Sequence, residues 1–464
     1  MSKLVRGLTL RSAASLNIAN MIGTGVFLKS RVMTCNVDSP FAVLAVWAAA
    51  AVLVFAGAVC YAELAAMLPR AGGEYAFIRE TYGKKAGYLW GWAYSGVMRP
   101  ASLAAQSVST AIFLNIVLGG ALQDHLGLAS AIALLLATLI NSISVRATGM
   151  VATLFTVLKV SLVLAVGACA FLFSQGNWMH YALSGSGGAC EAVPASTQGG
   201  LGGIGAAMLG ALWAFQGWAL FAPMAGEVQD PQRNIPRAFL LSVAVVAALY
   251  LFANASYFYV LTPSEIASVP VASSVATEML TRIFGGAAAA LMAAGMLISS
   301  MGALQTGMAA GMRVPYAMAK DGLYFSFLSK LSAAGVPVRA GLFIAAISSA
   351  LALTGNYDRL TDYAVFSYWL FYGLTASCVL VLRRKRPDAP RPYRVFGYPL
   401  VPAGFCLVTL VLLVNTLWVQ PVQSLAGLGI ILAGLPFYWY WARKAEAGQV
   451  NEPVQPGRSG KIGY

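Results

Sequence analysis

Charged side chains are scarce in this chain: only 10% of its 464 residues are Asp, Glu, Lys or Arg, whereas 59% are hydrophobic. A soluble domain carries about 25% charged residues, so the composition excludes a soluble protein and leaves no room for a separate soluble domain. Histidine occurs twice, and no Cys/His spacing typical of a metal site is present. There is no His-Glu-x-x-His motif and no paired set of carboxylates within a helix. The sequence therefore indicates neither an enzyme nor a bound metal or cofactor.

Long uncharged windows are abundant, and they predict the fold class. A helix of about 20 apolar residues crosses the hydrocarbon core of a bilayer, so we expect an all-α integral membrane protein with 12 transmembrane helices. The windows are 41–62, 100–123, 192–226, 238–264, 283–312, 340–357, 363–382 and 395–442, the last holding two helices, and segments 9–34, 85–99 and 126–173 supply the remainder.

The formal net charge of +14 has a topological interpretation rather than a nucleic-acid one. With the N-terminus inside, most lysines and arginines fall in segments on the cytoplasmic side, including the basic run 383–386. The positive-inside rule then predicts a multi-pass protein of the cell membrane with both termini in the cytoplasm. Residues 443–464 would form a cytoplasmic tail.

The six cysteines divide into two groups by position. Four lie in apolar helix sequence, where small buried side chains are expected. The other two, Cys35 and Cys190, map to loops on the outer side, which is oxidising in bacteria. A disulfide between them is one possibility, and the sequence leaves it open.

Two apolar segments carry glycine near their middle, where a helix in lipid normally keeps every backbone hydrogen bond. One contains Gly23 and Gly25, and the other contains Gly217 followed by Pro223. An opened helix exposes free N–H groups and free carbonyls, which suit the carboxylate and the ammonium of a zwitterion. Interrupted helices at matching positions of two halves indicate a transporter binding site. We therefore predict one polytopic domain with two five-helix repeats, at 9–173 and 204–382, followed by two more helices at 396–442.

Seven sequence segments together carry a family resemblance. They resemble, in the same order, the amino acid–polyamine–organocation transporter superfamily, and within it the L-type amino acid transporters, over nearly the whole chain. The resemblance implies the inverted five-helix repeat of the sodium-coupled neurotransmitter transporters (the LeuT-like fold), with broken helices 1 and 6 and two extra helices. The segments are Asn-Met-Ile-Gly-Thr-Gly-Val-Phe (20–27), Tyr-Ala-Glu-Leu with Pro-Arg-Ala-Gly-Gly-Glu-Tyr (61–75), Met-Arg-Pro-Ala-Ser (98–102), Ser-Val-Arg-Ala (144–147) with Lys159, Phe-Gln-Gly-Trp (215–218), 227–236, and Arg-Pro-Tyr-Arg-Val (391–395).

The resemblance implies a secondary transporter for L-amino acids, with a site that combines backbone and side-chain contacts. The N–H groups near Gly23 would bind the substrate carboxylate, and carbonyls of both breaks would bind its ammonium. Trp213 would close the site from outside, and the third helix would line the side-chain pocket. With no acid facing this lining, we expect small or medium neutral substrates. The candidate substrate-binding residues are Met21, Ile22, Gly23, Thr24, Gly25, Val97, Met98, Ser102, Trp213, Phe215, Gln216 and Gly217.

Lys159 is a charge in the middle of a predicted span, where a lone lysine costs several kcal/mol unless it is paired or hydrated. By resemblance it stands at the sodium site of sodium-coupled relatives, within reach of helix-one carbonyls and of hydroxyls such as Ser299 or Ser300. A permanently charged Lys159 implies sodium-independent exchange, which we favour. A lysine that loses its proton during the cycle implies proton symport. A non-transporting amino acid sensor is a further alternative, although we see no appended signalling domain.

Several polar residues at helix ends are expected to act outside the substrate pocket. Glu63, Glu227, Asp230 and Arg233 would form an intracellular gate, and Arg99 would be a structural partner of the broken helices. Segment 69–83 is amphipathic and predicts a short interfacial helix on the cytoplasmic side.

The predicted partners are an amino acid substrate and the lipid bilayer. The L-type transporters of animals are joined to a heavy glycoprotein through a cysteine between helices three and four. Segment 119–129 has no cysteine, so we predict no heavy-chain subunit and a monomer or homodimer.

Overall fold

The computed structural model describes residues 4–450 apart from 186, 272, 355, 356 and 420. In this part of the chain the regular structure is helical, with one isolated parallel bridge between Leu8 and Val228. The helices are α1 (Leu10–Met21), α2 (Gly25–Val37), α3 (Pro40–Met67), α4 (Glu74–Tyr82), α5 (Lys84–Ala93), α6 (Arg99–Val117), α7 (Leu126–Ile143), α8 (Val145–Phe173), α9 (Gly200–Ala214), α10 (Pro231–Val260), α11 (Pro263–Ala267), α12 (Val275–Phe284), α13 (Ala287–Gly311), α14 (Arg313–Lys320), α15 (Val338–Thr354), α16 (Tyr357–Lys385), α17 (Leu400–Val419), α18 (Pro421–Leu432) and α19 (Gly434–Val450).

Within the described residues, nine helical stretches are long and apolar enough to cross a membrane. Two shorter apolar helices, Gly200–Ala214 and Val338–Leu353, accompany them. The all-helical, multi-pass membrane class predicted from composition is confirmed, whereas the count of 12 crossings stays a prediction. The nine stretches are Pro40–Met67, Lys84–Val117, Gln123–Ile143, Val145–Phe173, Pro231–Val260, Ala287–Lys320, Phe366–Lys385, Leu400–Trp418 and Pro421–Lys444.

The first apolar segment is interrupted between α1 and α2. The last α-helical bond of α1 runs from the Ile22 N–H to the Ile18 carbonyl at 2.9 Å. The Gly23 N–H then turns back to the Met21 carbonyl at 2.8 Å, and regular helix resumes at Gly25. The two glycines thus flank the turn that separates the half-helices.

The second interruption follows α9. Residues 215–221 form turns, and a 3₁₀ segment, Ala222–Glu227, leads away from them. Gly217 has φ of +104°, and a Cβ there would lie 2.3 Å from the Asn20 side-chain oxygen. Only glycine tolerates both the backbone angle and the close approach, so this residue allows the helix to open next to the first break.

A π-helical segment, Tyr94–Met98, separates α5 from α6 within one continuous span. The Arg99 N–H reaches back five residues to the Tyr94 carbonyl. Pro100 follows directly and has no N–H to donate to the ladder, so the helix accommodates an extra residue before it. The sequence analysis did not anticipate this segment.

Helix α4 differs from the interfacial helix predicted for 69–83. Its residues Glu74, Tyr75, Phe77, Ile78 and Thr81 are buried. A Cβ on the preceding glycine, residue 73, would lie 2.6 Å from the backbone nitrogen of residue 223. The helix therefore begins directly against the second interrupted segment instead of resting on the bilayer surface.

A fully buried ion pair lies where the interrupted segment after α9 meets the end of α13. Arg313 donates from Nε and Nη2 to the two carboxylate oxygens of Glu227 at 2.8 and 2.9 Å, and both side chains have 0% exposure. The Glu227 carbonyl also accepts the Leu8 N–H at 3.0 Å, so the N-terminal segment is attached at the same place.

A second buried carboxylate organises the ends of α3 and α16. Glu63 accepts hydrogen bonds from Arg383 at 2.9 and 2.5 Å. Arg383, interpreted from the sequence as a topology determinant alone, is thus an ion-pair partner. Asp230 and Arg233 form no ion pair in the part of the chain that the structure describes.

Cys35 and Cys190 form a disulfide, which joins the end of α2 to the long loop after α8. Arg31 donates to the Glu191 carbonyl at 2.8 Å beside it. The remaining cysteines are free thiols in buried or half-buried positions, as expected from their apolar sequence context.

We expect alkylation of the denatured, unreduced protein to modify only the four free cysteines, and reduction beforehand to raise this number to all six. Intact-protein mass spectrometry measures both. The Cys35→Ser variant is the control, because it should release one additional thiol at Cys190 without reduction. Six reactive thiols in the unreduced wild type would contradict the disulfide.

Glu227→Gln is expected to lower the free energy of unfolding by about 3–5 kcal/mol, because it leaves the Arg313 guanidinium buried without a counter-charge. Glu265→Gln is the matched control, since its pair with Arg282 is exposed on both sides and such pairs contribute about 0–1 kcal/mol. Denaturant unfolding in detergent measures the difference. Equal losses for both variants would show that burial does not matter here.

Candidate substrate-binding site

Both helix interruptions border one cavity of about 180 Å³. Its wall is completed by α6, by the beginning of α4 and by α16. The structure thus brings together residues that lie nearly 200 positions apart in the sequence. Among the predicted site residues, those that line the cavity are Met21, Gly23, Thr24, Gly25, Ser102, Trp213, Gln216, Gly217 and Ser300.

Four predicted contact residues lie outside this lining: Ile22, Val97, Met98 and Phe215. Phe215 is fully buried against Tyr250, with ring centroids 5.0 Å apart. Val97 and Met98 belong to the π-helical segment, whose extra residue changes the face they present relative to Ser102 on α6. The third helix therefore reaches the cavity with Tyr94, Arg99 and Ser102 and with Ala105, Gln106 and Ser109 beyond them, but not with Val97 or Met98.

Backbone donors at the start of α2 are open to the cavity. Within the described residues, the N–H groups of Thr24, Gly25 and Val26 donate to no carbonyl. Free amides at a helix N-terminus, together with the helix dipole, favour an anion. This end of the break can hold a carboxylate without any basic side chain.

The acceptors on the other side of the break are already engaged. The Met21 carbonyl accepts the Tyr250 hydroxyl at 2.6 Å and the Gly23 N–H at 2.8 Å. The Ile22 carbonyl accepts Lys159 at 2.8 Å and the Ser299 hydroxyl at 2.9 Å. A carbonyl oxygen has two lone pairs, so neither group retains capacity for an ammonium.

Free acceptors lie at the second interruption instead. The carbonyls of Phe215 and Gln216 receive no hydrogen bond from the described residues, whereas the Trp213 carbonyl accepts the Gln216 N–H at 3.0 Å. The carbonyls predicted from the sequence to bind an ammonium are those of Met21, Ile22, Trp213, Phe215 and Gln216, and among them the carbonyls of Phe215 and Gln216 keep both lone pairs free. The two breaks therefore offer different chemistry, donors from the first and acceptors from the second.

Lys159 on α8 has 0% exposure and points at the end of α1. Its ammonium donates to the carbonyls of Ala19 and Ile22. Ser299 shares the Ile22 carbonyl with it, whereas Ser300 accepts a hydrogen bond from Thr110 at 3.0 Å and borders the cavity. Lys159 forms no ion pair with any described carboxylate, so the dipoles of the backbone carbonyls that it bonds are what stabilise its charge.

Trp213 lies at the boundary between two cavities. It borders the first cavity and a second one of about 340 Å³, which is lined by α2, α9, α16, α17 and the loop after α8. Gln216, Tyr368 and Tyr372 border both cavities as well. Lys29 on α2 places its ammonium 4.6 Å from the centre of the Trp213 ring, a cation–π distance. A tryptophan that separates two cavities is positioned to open or close the passage between them.

Sequence analysis missed a charged region in the lining, formed by Glu74 and Arg99. Glu74 contradicts the expectation that no acid faces the pocket. Its burial raises the pKa of its carboxyl to about 7, against the opposing effects of a backbone hydrogen bond, of the positive charge of Arg99 and of the neighbouring Tyr61 hydroxyl. An acid among buried apolar residues of α4 was the available signal, but its place against the cavity depends on long-range packing.

Comparison with known proteins agrees with this geometry. The family model described as amino acid permease matches residues 8–439. The large neutral amino acids transporter small subunit 2 of Rattus norvegicus is 30% identical over 447 residues, covering 93% of this chain and 80% of that protein. The b(0,+)-type amino acid transporter 1 of Homo sapiens is 30% identical over 467 residues, covering 98% and 92%. The Asc-type amino acid transporter 1 of Mus musculus is 30% identical over 446 residues, covering 93% and 81%.

These similarities extend along almost the whole chain and confirm the resemblance inferred from its motifs. They also confirm that the chain is not an enzyme, since the family consists of transporters. The name of the rat protein describes it as a small subunit, so the comparisons lend no support to the prediction that this chain works without a heavy chain. The chain belongs to the amino acid permease family of the amino acid–polyamine–organocation superfamily.

Proposed function

We propose that the protein is a sodium-independent exchanger of small and medium neutral L-amino acids that works by alternating access. One observation carries the proposal most directly. The Lys159 ammonium is bound to the Ala19 and Ile22 carbonyls behind the first break, while the amides after the break stay open to the cavity. A built-in cation thus stands where a transported cation would otherwise be required.

The proposed topology has 12 crossings. To the nine long apolar stretches it adds α1 with α2, α9 with the 3₁₀ segment that follows, and α15. Repeats at 9–173 and 204–382 then begin with an interrupted helix each, which is the arrangement expected of inverted repeats. Both termini lie in the cytoplasm in this topology. In the tail proposed at 443–464, α19 continues to residue 450, and the rest lies outside the described residues.

The substrate head group binds between the two interruptions. Its carboxylate accepts hydrogen bonds from the amides of Thr24 and Gly25, and its ammonium donates to the free carbonyl of Gln216, which borders the cavity. Both interactions are charge-assisted, which makes them shorter and stronger than neutral hydrogen bonds. Every L-amino acid carries this head group. The backbone part of the site therefore recognises amino acids in general and does not distinguish between their side chains.

The rest of the cavity selects the side chain. An apolar cavity of 150 Å³ holds a benzene molecule, so a volume of about 180 Å³ suits a small or medium substrate. Glu74 and Arg99 contribute opposite charges to the lining, and a cationic or an anionic side chain would each meet one charge of its own sign. Neutral substrates avoid this repulsion.

Alternating access requires the two sides of the site to open in turn. Trp213, which borders both cavities, acts as the outer gate of the binding site. The buried pair of Glu227 and Arg313 holds the opposite side closed and must separate when that side opens. Transport then follows from different substrate affinities in the outward, occluded and inward states.

Proton symport is the second candidate, and the surroundings of Lys159 are the observation in its favour. A fully buried ammonium with only backbone carbonyls around it pays a high desolvation cost, which favours release of its proton. The two candidates differ in whether a pH gradient alone drives uptake. The prediction of no heavy-chain subunit stays a prediction in either case.

Proteoliposomes containing the purified protein should accumulate labelled alanine, serine and leucine only when they are preloaded with an unlabelled neutral amino acid. Sodium should not change the rate, and arginine should be a poor substrate. Uptake into empty vesicles driven by an inward proton gradient would replace exchange by proton symport. The Lys159→Gln variant should lose transport under both mechanisms, so it tests the importance of the cation at the break.

Gly25→Leu is expected to abolish amino acid binding, and Gly25→Ala to weaken it at least about tenfold. Even a single Cβ at this position would lie 2.7 Å from the Ala214 Cβ and 2.9 Å from its Cα, so the two half-helices would have to separate and misplace their hydrogen-bonding groups. A difference of tenfold corresponds to about 1.4 kcal/mol.

The control for this prediction is Gly205→Ala on α9, where an added Cβ meets nothing within 4 Å. Equilibrium binding of labelled leucine to the detergent-solubilised variants measures both effects. Unchanged affinity of Gly25→Leu would exclude the first break from the binding site.

A further inference from the structure

The Glu74 carboxyl group is buried in the cavity wall without a full set of partners. The residue has 6% exposure, and its Oε2 atom accepts no hydrogen bond from any described group. A buried acceptor left unsatisfied costs about 1–3 kcal/mol, and more when it is charged. Such an atom calls for a partner that the fold itself does not supply, such as a water molecule, an ion or a ligand.

The Arg99 guanidinium faces the same cavity with unused donors. It has 5% exposure, and its Nε donates to the Tyr94 hydroxyl at 3.1 Å. Its two terminal amino groups donate no hydrogen bond within the described part of the chain. No ion pair joins Arg99 to Glu74 in that part either, although both line the cavity and their charges act on each other. The cavity bordered by these two opposite charges can therefore hold a ligand that carries one charge of each sign.

We propose that Glu74 and Arg99 form a second station for the zwitterionic head group of an α-amino acid, apart from the helix breaks but within the same cavity. The ammonium of the ligand donates to the Glu74 carboxylate, and its carboxylate accepts from the terminal amino groups of Arg99. This inference rests on the proposed function, since it takes the transported amino acid as the ligand. A ligand with a single charge would neutralise one of the two residues and be repelled by the other.

The station lies where the beginning of α4 meets the second interrupted segment. Glu74 begins α4 directly after the turn in which the Gly72 N–H donates to the Pro223 carbonyl at 3.1 Å. Residues 70–71 pack against Gly226, next to the buried Glu227 pair and the N-terminal segment. An amino acid leaving the helix breaks toward the side of the N-terminus would therefore reach Glu74 and Arg99 on its path, and one entering from that side would meet them first.

The ionisation of Glu74 gives this station a pH signature. The charged and titratable groups that face it are Tyr61 on α3, Tyr94 on the π-helical segment, Arg99 on α6, and Tyr368 and Tyr372 on α16. Because burial raises the pKa of Glu74 to about 7, the carboxyl is mostly neutral at pH 6 and mostly ionised at pH 8. Only the ionised form offers a counter-charge to an ammonium. Affinity at this station should thus rise with pH over that interval.

The test measures KM for amino acid exchange separately at the two faces, in right-side-out and inside-out vesicles from an expression host, with labelled leucine. Glu74→Gln keeps the shape of the side chain and removes its charge. We expect it to raise KM about tenfold at the face that carries the N-terminus and less than about threefold at the other face, because a charge-assisted hydrogen bond is lost only at the station. It should also abolish the decrease of the wild-type KM between pH 6 and pH 8 at that face.

Two further variants complete the design. Glu74→Asp retains the carboxylate and should restore the KM to within about threefold of wild type. Glu80→Gln lies on the same helix but pairs with Arg386 at the surface, and it should leave both KM values unchanged. Equal increases at both faces for Glu74→Gln, or a wild-type KM that does not change between pH 6 and pH 8, would overturn the station. Absence of exchange in the wild type would instead contradict the proposed function itself.

Discussion

The constraint on which the rest of this structure depends is that a backbone carbonyl in a bilayer must find a donor inside the protein. Breaking the first helix releases the carbonyls of Ala19, Met21 and Ile22, and donors from three other helices arrive to satisfy them. Lys159 comes from α8, Ser299 from α13 and Tyr250 from α10. The break is thus held open by side chains that converge on it. The single proton of the Tyr250 hydroxyl is shared with the Ala214 carbonyl at 3.0 Å, so the same hydroxyl ties the end of α9 to the end of α1.

In this arrangement some backbone groups of the two breaks are hydrogen-bonded within the fold, and others remain free to bind a ligand. The carbonyls of the first break serve the fold, and its amides remain free for an anion. The second break supplies the free carbonyls. In the proposed site, a zwitterion is bound by one half-helix start and one half-helix end that belong to different segments, and neither segment alone is a complete site. Glu74 and Arg99 are the charged side chains among the described residues of this lining, and their charges balance only when the Glu74 carboxyl, whose pKa burial raises to about 7, is ionised.

The sequence was sufficient for the features that follow from local chemistry. Glycine in an apolar run predicted both interruptions, and a lysine in an apolar helix predicted a buried ammonium, whose place near the first interruption was implied by the family resemblance. It was insufficient wherever packing between distant segments decides the outcome. The burial of α4 depends on Pro223, about 150 residues later, and Arg313 and Arg383 gain their roles only through Glu227 and Glu63. The π-helical segment had a local cause in Pro100, but a proline can also kink a helix, and only the observed hydrogen bonds distinguish the two.

The absence of a side chain at Gly25 has a geometric consequence for recognition. With Ala214 directly against it, the two broken segments touch nearly backbone to backbone, and the Trp213 side chain lies beside this contact. In the proposed site, the width of the slot for the head group is consequently limited by the contact between Gly25 and Ala214. Adaptation to different amino acids must take place on the opposite walls, where α6 and α16 present side chains that can change rotamer. One end of the proposed site is therefore rigid backbone, and the other end is formed by side chains that can adapt to the ligand.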